Sequence, residues 1–199
     1  MAAILQKVGR IVSDRSWFFL CDMQEKFRPT IRYYPEILNI ASRLVQAANI
    51  LNIPVICTEQ YPKALGNTCS EIDISKASVF EKTKFSMFIP NVQEKLEKRP
   101  EAKTIVLFGI ETQVCVQQTC LDLLANGYEV HIIADCVSSR GLVDRAIAIE
   151  RMKNSGAFIT TCESVLFELL MSSKHPSFKE VQALIKDPCP DTGLLMHKL

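Results

Sequence analysis

Histidine is scarce in this chain, with three in 199 residues. His131, His175 and His197 are dispersed, and none falls into a metal-like cluster with Asp, Cys or Glu, which argues against a metal centre. An imbalance of charge is lacking too. Lys and Arg number 23 against 22 Asp and Glu, a net charge of +1, so there is no electrostatic case for nucleic acid or for an anionic membrane. No G-x-G-x-x-G or Walker glycine loop follows any apolar run, which removes support for a nucleotide-binding domain. The longest apolar runs are of strand length, too short to span a bilayer.

Eight cysteines are present, yet none has C-x-x-C spacing, and Cys115 and Cys120 suit neither a redox motif nor a zinc ribbon. A chain of this size, 48% hydrophobic, buries a sufficient core without covalent staples. With no secretory leader expected, the cysteines read as reduced thiols of a cytoplasmic protein. Lys7, Arg10 and Arg15 give the first residues the look of a mitochondrial presequence, but core strand follows almost at once. The ending His197-Lys198-Leu199 is a poor relative of the peroxisomal address. One domain over residues 1–199 is expected, with 187–199 as an extended arm over the surface or over a partner subunit.

What is abundant is a repeated alternation of short apolar runs and amphipathic helices. Residues 16–21, 54–58, 104–110, 129–134 and 157–160 read as strands, and 78–88 alternates like a further extended segment. Between them, helices are expected over 35–51, 91–99, 114–126, 143–154 and 163–171, with a last one over 177–186. Six strands alternating with helices predict a three-layer α/β/α domain around a mostly parallel six-stranded sheet of Rossmann-type topology. Residues 59–78 form a long polar connection, of the length that usually carries function.

The chemistry-bearing residues fall at strand exits. Asp22 follows the first strand, where it is either a turn or helix cap or an active-site acid. Cys115 stands near the first turn of the helix after the central strand, where unpaired N–H groups favour the thiolate; the alternative is an ordinary buried cysteine. Lys82 and Lys84 share a face of the extended segment, and the alternation does not choose between them. All of these can converge on one carboxyl edge, the usual place for chemistry in an open α/β sheet. Nucleophile, carboxylate and cation are the set needed for covalent acyl transfer, with helix-start N–H groups to hold an oxyanion. No histidine is placed to make a papain-like Cys-His pair.

At these residues the chain resembles the isochorismatase-like cysteine hydrolases over nearly its whole length. The resemblance rests on Phe19-Leu20-Cys21-Asp22-Met23-Gln24, on Glu81 to Phe88 with its K-x-x-aromatic-S pattern, and on Gly109 to Val116, with Asp135 to Arg140 as a further similar segment. It implies an Asp22–Lys82–Cys115 triad and so selects Lys82 over Lys84. It implies a cis peptide at Ile110–Glu111 and an oxyanion hole from the N–H groups of Glu111 and Cys115. Gln24, Phe27, Tyr61, Phe85 and Phe88 are the candidate pocket walls. The D-x-H metal motif of the family's nicotinamidases is replaced here by Thr58-Glu59-Gln60-Tyr61, so neither metal nor other cofactor is expected. The family's true isochorismatases do not depend on a cysteine, so Cys115 points to a C–N or ester bond of a small molecule. Dimers or tetramers are commonly formed by proteins of this fold. The rival expectation is a catalytically silent member acting as a protein-interaction module.

Overall fold

The computed structural model describes residues 8–194. Its centre is β1 (Ser16–Cys21), whose six residues are all buried. Side chains alternate across a strand, so Phe18 and Leu20 enter one apolar cluster while Trp17, Phe19 and Cys21 enter the other. A strand that is apolar on both faces fits only between two layers of helices.

The other strands are β2 (Val55–Gln60), β3 (Ser78–Lys82), β4 (Thr104–Ile110), β5 (Glu129–Ser138) and β6 (Phe158–Thr160). They form one six-stranded sheet in the order β3-β2-β1-β4-β5-β6, every pair parallel. The helices are α1 (Tyr34–Ile50), α2 (Pro62–Leu65), α3 (Pro90–Glu97), α4 (Gln117–Ala125), α5 (Leu142–Asn154), α6 (Cys162–Leu170) and α7 (Phe178–Leu184). Ile37, Leu44, Leu166, Leu169 and Val181 of α1, α6 and α7 cover one face; Val92, Leu96, Leu123 and Met152 of α3, α4 and α5 cover the other. The expected three-layer α/β/α architecture is therefore observed. No described helix is long and apolar enough to cross a membrane.

This strand order reverses direction between β1 and β4, and ligands in such sheets bind outside the carboxyl ends of the strands at the reversal. Asp22 leaves β1 and Glu111 leaves β4 at that point. The two strands are in register with Cys21 opposite Gly109. Gly109 has φ 137, and a Cβ there would stand 2.2 Å from the Cys21 carbonyl oxygen. Only glycine permits this close approach.

Two expectations are corrected in extent. The extended segment 78–88 is strand only through Lys82, after which the chain bends. The fifth strand runs past Asp135 to Ser138, its pairing jumping from Leu107–Ile132 to Gly109–Val137 across an irregularity that absorbs the extra residues. Asp135 is thereby not at a strand exit; its carboxylate accepts the Cys162 N–H at 2.9 Å at the start of α6. The arm lies along its own chain as far as Leu194: Arg43 donates to the Asp187 carbonyl at 2.8 Å and the buried Arg145 to that of Thr192 at 2.6 Å. Its last five residues lie outside the described ones.

Replacing Gly109 by Ala is expected to cost about 3 kcal/mol or more, because both backbone strain and a backbone clash are introduced. Gly127 also has positive φ, but a Cβ there meets nothing within 4 Å, and Gly127→Ala is expected to cost only about 1–2 kcal/mol. Urea denaturation of the two variants measures the difference; equal costs would contradict the close β1–β4 approach.

Candidate active site

At the end of β1, Asp22 turns into the left-handed region at φ 54, its N–H still bonded to the Thr58 carbonyl at 3.1 Å. Both carboxylate oxygens are occupied. The Thr58 hydroxyl donates to Oδ1 at 2.8 Å and the Lys82 ammonium to Oδ2 at 2.7 Å. The Lys82 and Asp22 side chains are 0% and 1% exposed, a fully buried ion pair.

Lys82 is the last residue of β3, opposite Gln60 of β2 and two strands from β1. Two strand spacings are about 9–10 Å, a gap that a four-carbon stem and an aspartate side chain bridge. The remaining two ammonium protons go to Gln60 Oε1 at 2.7 Å and the Phe85 carbonyl at 2.8 Å. All three donors of the lysine are thus committed. Burial acts to lower the Lys82 pKa, but the electrostatic influence of Cys21, Asp22 and Cys115 and the Asp22 hydrogen bond outweigh it, and the value is raised. Lys84, on the expected shared face, is instead carried outward by the bend after Lys82. It is exposed and pairs with Asp122 at 2.8 Å.

Cys115 lies in a π-helical turn, Thr112–Val116, that precedes α4. Such turns are rare and concentrate at functional sites. The chain enters the turn through Glu111 at φ 50, ψ 61. The cis peptide expected at Ile110–Glu111 is absent: no peptide bond is cis among the described residues, and the chain reverses by the positive φ of Glu111 instead. Cys115 is 6% exposed. Its carbonyl accepts from the Thr119 hydroxyl at 2.6 Å, and the same oxygen of Thr119 accepts the Met87 N–H at 2.8 Å, fastening the segment after Lys82 to the cysteine turn. Cys21 belongs to the same apolar cluster as Cys115. Burial pushes the Cys21 thiol well above its ordinary pKa, and the neighbouring Cys115 and the Asp22 charge push it further.

The oxyanion-hole candidates, Glu111 and Cys115, bound one turn whose outer side is also fixed. Glu111 pairs with Arg140 at 2.8 Å and accepts from Gln113 at 2.8 Å, while Gln113 accepts from Ser139 at 2.6 Å. Gln24, expected as a pocket wall, is fully buried. Its side chain donates to the carbonyls of Gln60 (3.0 Å) and Gly66 (2.6 Å) and accepts from the Gln60 N–H (2.7 Å). It clamps the connection after β2, and both of its amide donors are spent there. Phe27 packs against the α1-side core, opposite in face to Cys115, and Phe88 packs edge-to-face on Tyr128. Tyr61 and Phe85, at 53% and 51% exposure, are the two expected pocket residues that lie open to solvent.

Two clefts of about 550 and 510 Å³ adjoin at Arg32, Tyr33 and Arg140; neither is lined by Asp22, Lys82 or Cys115. Glu25, Cys69 and Glu71 lie close enough to share a cation, but Arg28 bridges both carboxylates, at 2.5 Å and 2.7 Å, and already supplies the positive charge. Thr58 and Gln60 complete the surroundings of Asp22 and Lys82. Their signal was legible as polar residues of one parity, 58 and 60, closing an apolar strand.

Comparison with known proteins gives consistent relatives. The model of the family described as Isochorismatase domain matches residues 16–164. Isochorismatase domain-containing protein 2 of Xenopus laevis is 52% identical over 191 residues, 96% of this chain and 93% of that one. A solved structure described as the MAR1 ribonuclease of Caenorhabditis elegans superposes with a TM-score of 0.90 at 47% identity, covering 96% of this chain and all of that one. The YcaC gene product of Escherichia coli, described as an octameric hydrolase of unknown specificity, has the same fold, with a TM-score of 0.82 at 20% identity and 90% of each chain covered.

Lys82→Met leaves Asp22 buried without its counter-charge and is expected to cost about 3–5 kcal/mol. Adding Asp22→Asn, which is neutral and tolerates positive φ, is expected to restore most of that loss. Because the folded-state pKa of Lys82 is raised, the pair's contribution is complete below the ordinary lysine value near 10.4 and fades as pH rises through the folded-state value. Denaturation of the single and double variants from neutral to strongly alkaline pH measures both effects. A single variant as stable as the double one would contradict the pair.

Proposed function

Because the chain belongs to the isochorismatase family, we propose that it is a metal-independent cysteine hydrolase cleaving a small-molecule amide or ester. The observation that carries this reading is the buried Lys82–Asp22 pair at 2.7 Å, with the segment after Lys82 fastened to the Cys115 turn through Met87 and Thr119. In this reading Cys115 attacks the carbonyl carbon, its proton passes to Asp22, and the N–H groups of Glu111 and Cys115 receive the developing oxyanion. The tetrahedral intermediate collapses to the thioacyl as the C–N or C–O bond breaks, Asp22 returning the first proton to the leaving amine or alcohol; water, giving a proton to Asp22, then attacks, the C–S bond breaks, and that proton returns to the Cys115 sulfur.

Lys82 acts as a fixed positive charge in this scheme. Its three donors are held by Asp22, Gln60 and Phe85, so its part is to hold negative charge near it and not to pass protons to substrate. Thr58 aligns the Asp22 carboxylate through Oδ1. Tyr61 and Phe85 are the candidate walls for substrate, since they alone of the expected aromatics are open. Homo-oligomeric assembly belongs to the same proposal. It is supported by the description of the Escherichia coli protein as octameric and by the exposure of Leu142, Val143 and Ile147 along α5 of this chain.

The test is selective alkylation at neutral pH, read by peptide mass spectrometry with the other seven cysteines as internal controls. Burial pushes the Cys57 and Cys120 thiols up to about 12, so both are expected to stay unmodified. Cys115 is expected to react first, and roughly tenfold more slowly in Asp22→Asn and Lys82→Ala. Amide, ester and RNA substrates are then compared, the last because of the ribonuclease description of the Caenorhabditis elegans relative. A Cys115 as inert as its neighbours would sink the hydrolase reading and favour the interaction module.

A further inference from the structure

Far from the Lys82–Asp22 pair in sequence, a second buried cation stands without a counter-charge. Arg145 lies early in α5 and is 2% exposed. Among the described residues no carboxylate pairs with it. The carboxylate of the nearby Asp135 is spent on the Cys162 N–H. The guanidinium donates instead to three neutral oxygens: the Thr192 carbonyl at 2.6 Å, the Ala134 carbonyl at 3.1 Å and, at 3.4 Å, the Thr192 hydroxyl. Its Nε is buried and has no partner among the described residues. Burial pushes the Arg145 pKa down to about 10, so the group is still charged at neutral pH. Buried charges are ordinarily paired, and two of the three oxygens that hold this one belong to the C-terminal arm.

The arm is shaped to reach it. The Asp191 carboxylate accepts the Gly193 N–H at 2.8 Å, and Thr192 is buried between them. Gly193 takes φ 68 against the Tyr33 ring, which a Cβ would meet at 2.4 Å. Thr192 and Gly193 thus lie against Arg145 and against Tyr33, a wall of both clefts at the end of β5. Arg32 lines the same clefts and has no carboxylate partner among the described residues, so an anion is attracted to this side of the arm.

A guanidinium grips a carboxylate or a phosphate through two parallel N–H bonds, and such charged acceptors bind it more strongly than neutral carbonyls do. We propose that Arg145 is the binding residue of a small-oxyanion site, for a carboxylate or a phosphate, that the C-terminal arm covers. The anion takes the place of the Thr192 oxygens, engages the unpartnered Nε, and the arm gives way. The Ala134 carbonyl, on β5 and not on the arm, keeps the guanidinium oriented meanwhile. Arm release and anion binding are then linked, each favouring the other. Nothing in this proposal depends on the role of Cys115.

The test follows amide hydrogen exchange of the full chain by mass spectrometry while inorganic phosphate, or separately acetate, is added at constant ionic strength, with sodium chloride as control. Exchange in the peptide covering 187–194 is expected to accelerate roughly tenfold and to saturate with anion concentration, the sheet peptides staying protected. A response to phosphate alone or to acetate alone supports the site and identifies which anion it takes. In Gly193→Val the new side chain pushes the arm off Tyr33 and leaves Arg145 in place. Calorimetry is expected to show that the effective anion binds this variant roughly tenfold more tightly, because the arm competes less. In Arg145→Met the response is expected to vanish. Should that variant fail to fold, wild type and Gly193→Val decide between them. An arm unmoved by both anions, or moved equally by chloride, would overturn the proposal. So would binding that leaves the arm protected, which is an adventitious ion only, or a Gly193→Val that binds no more tightly than wild type.

Discussion

A lysine ammonium and an aspartate carboxylate buried together set the terms for this structure. Taking either charge out of water costs several kcal/mol, so each must have its counter-charge and its hydrogen bonds wherever the fold puts it. Lys82 has three acceptors and Asp22 two donors on opposite oxygens. Supplying them requires β3 at the edge next to β2, Thr58 and Gln60 on one side of β2, and Phe85 bent back under the lysine. Gln24, with its amide spent on the backbone of Gln60 and Gly66, holds the connection that would otherwise leave this cluster open.

The second constraint is steric. β1 and β4 approach closely because Gly109 has no side chain, and Glu111 reverses the chain at once afterwards. The cysteine turn is consequently returned to the end of β1, where the strand order of a parallel sheet already places the crevice. Outside, the Arg140–Glu111–Gln113–Ser139 network ties the same turn to the end of β5. Inside, Thr119 ties it to Met87. A site fastened from both sides is preorganised, which is where an enzyme obtains electrostatic stabilisation of charge.

The long apolar strands and amphipathic helices were legible because burial on two faces or on one stripe leaves a periodic mark in sequence. β1 and β4 were read to the residue for that reason. β5 was not, because an irregularity in its pairing carries Asp135, Cys136 and Val137 onward in the strand without a change of composition that would announce it. Lys82 and Lys84 are indistinguishable by alternation. They separate only because the strand ends between them, and family resemblance had to choose. The resemblance misled at Ile110–Glu111, where the peptide is trans. Gln24 belonged to a resembling motif as a candidate for substrate contact, yet its amide is consumed by backbone groups 36 and 42 residues away, a pairing no local pattern records.

By itself, the sequence determined the layers of this protein, since alternating short apolar runs and amphipathic helices have few ways to bury their surfaces. It also determined that chemistry-bearing side chains stand at the carboxyl ends of strands. Only the tertiary structure decided which of them meet. The contact between Lys82 and Asp22, and the return of the Cys115 turn to the end of β1, depend on strand order, on two residues in left-handed conformation and on one glycine against a carbonyl. These are distances across the sheet, and a linear pattern of hydrophobicity constrains them only through the fold it builds.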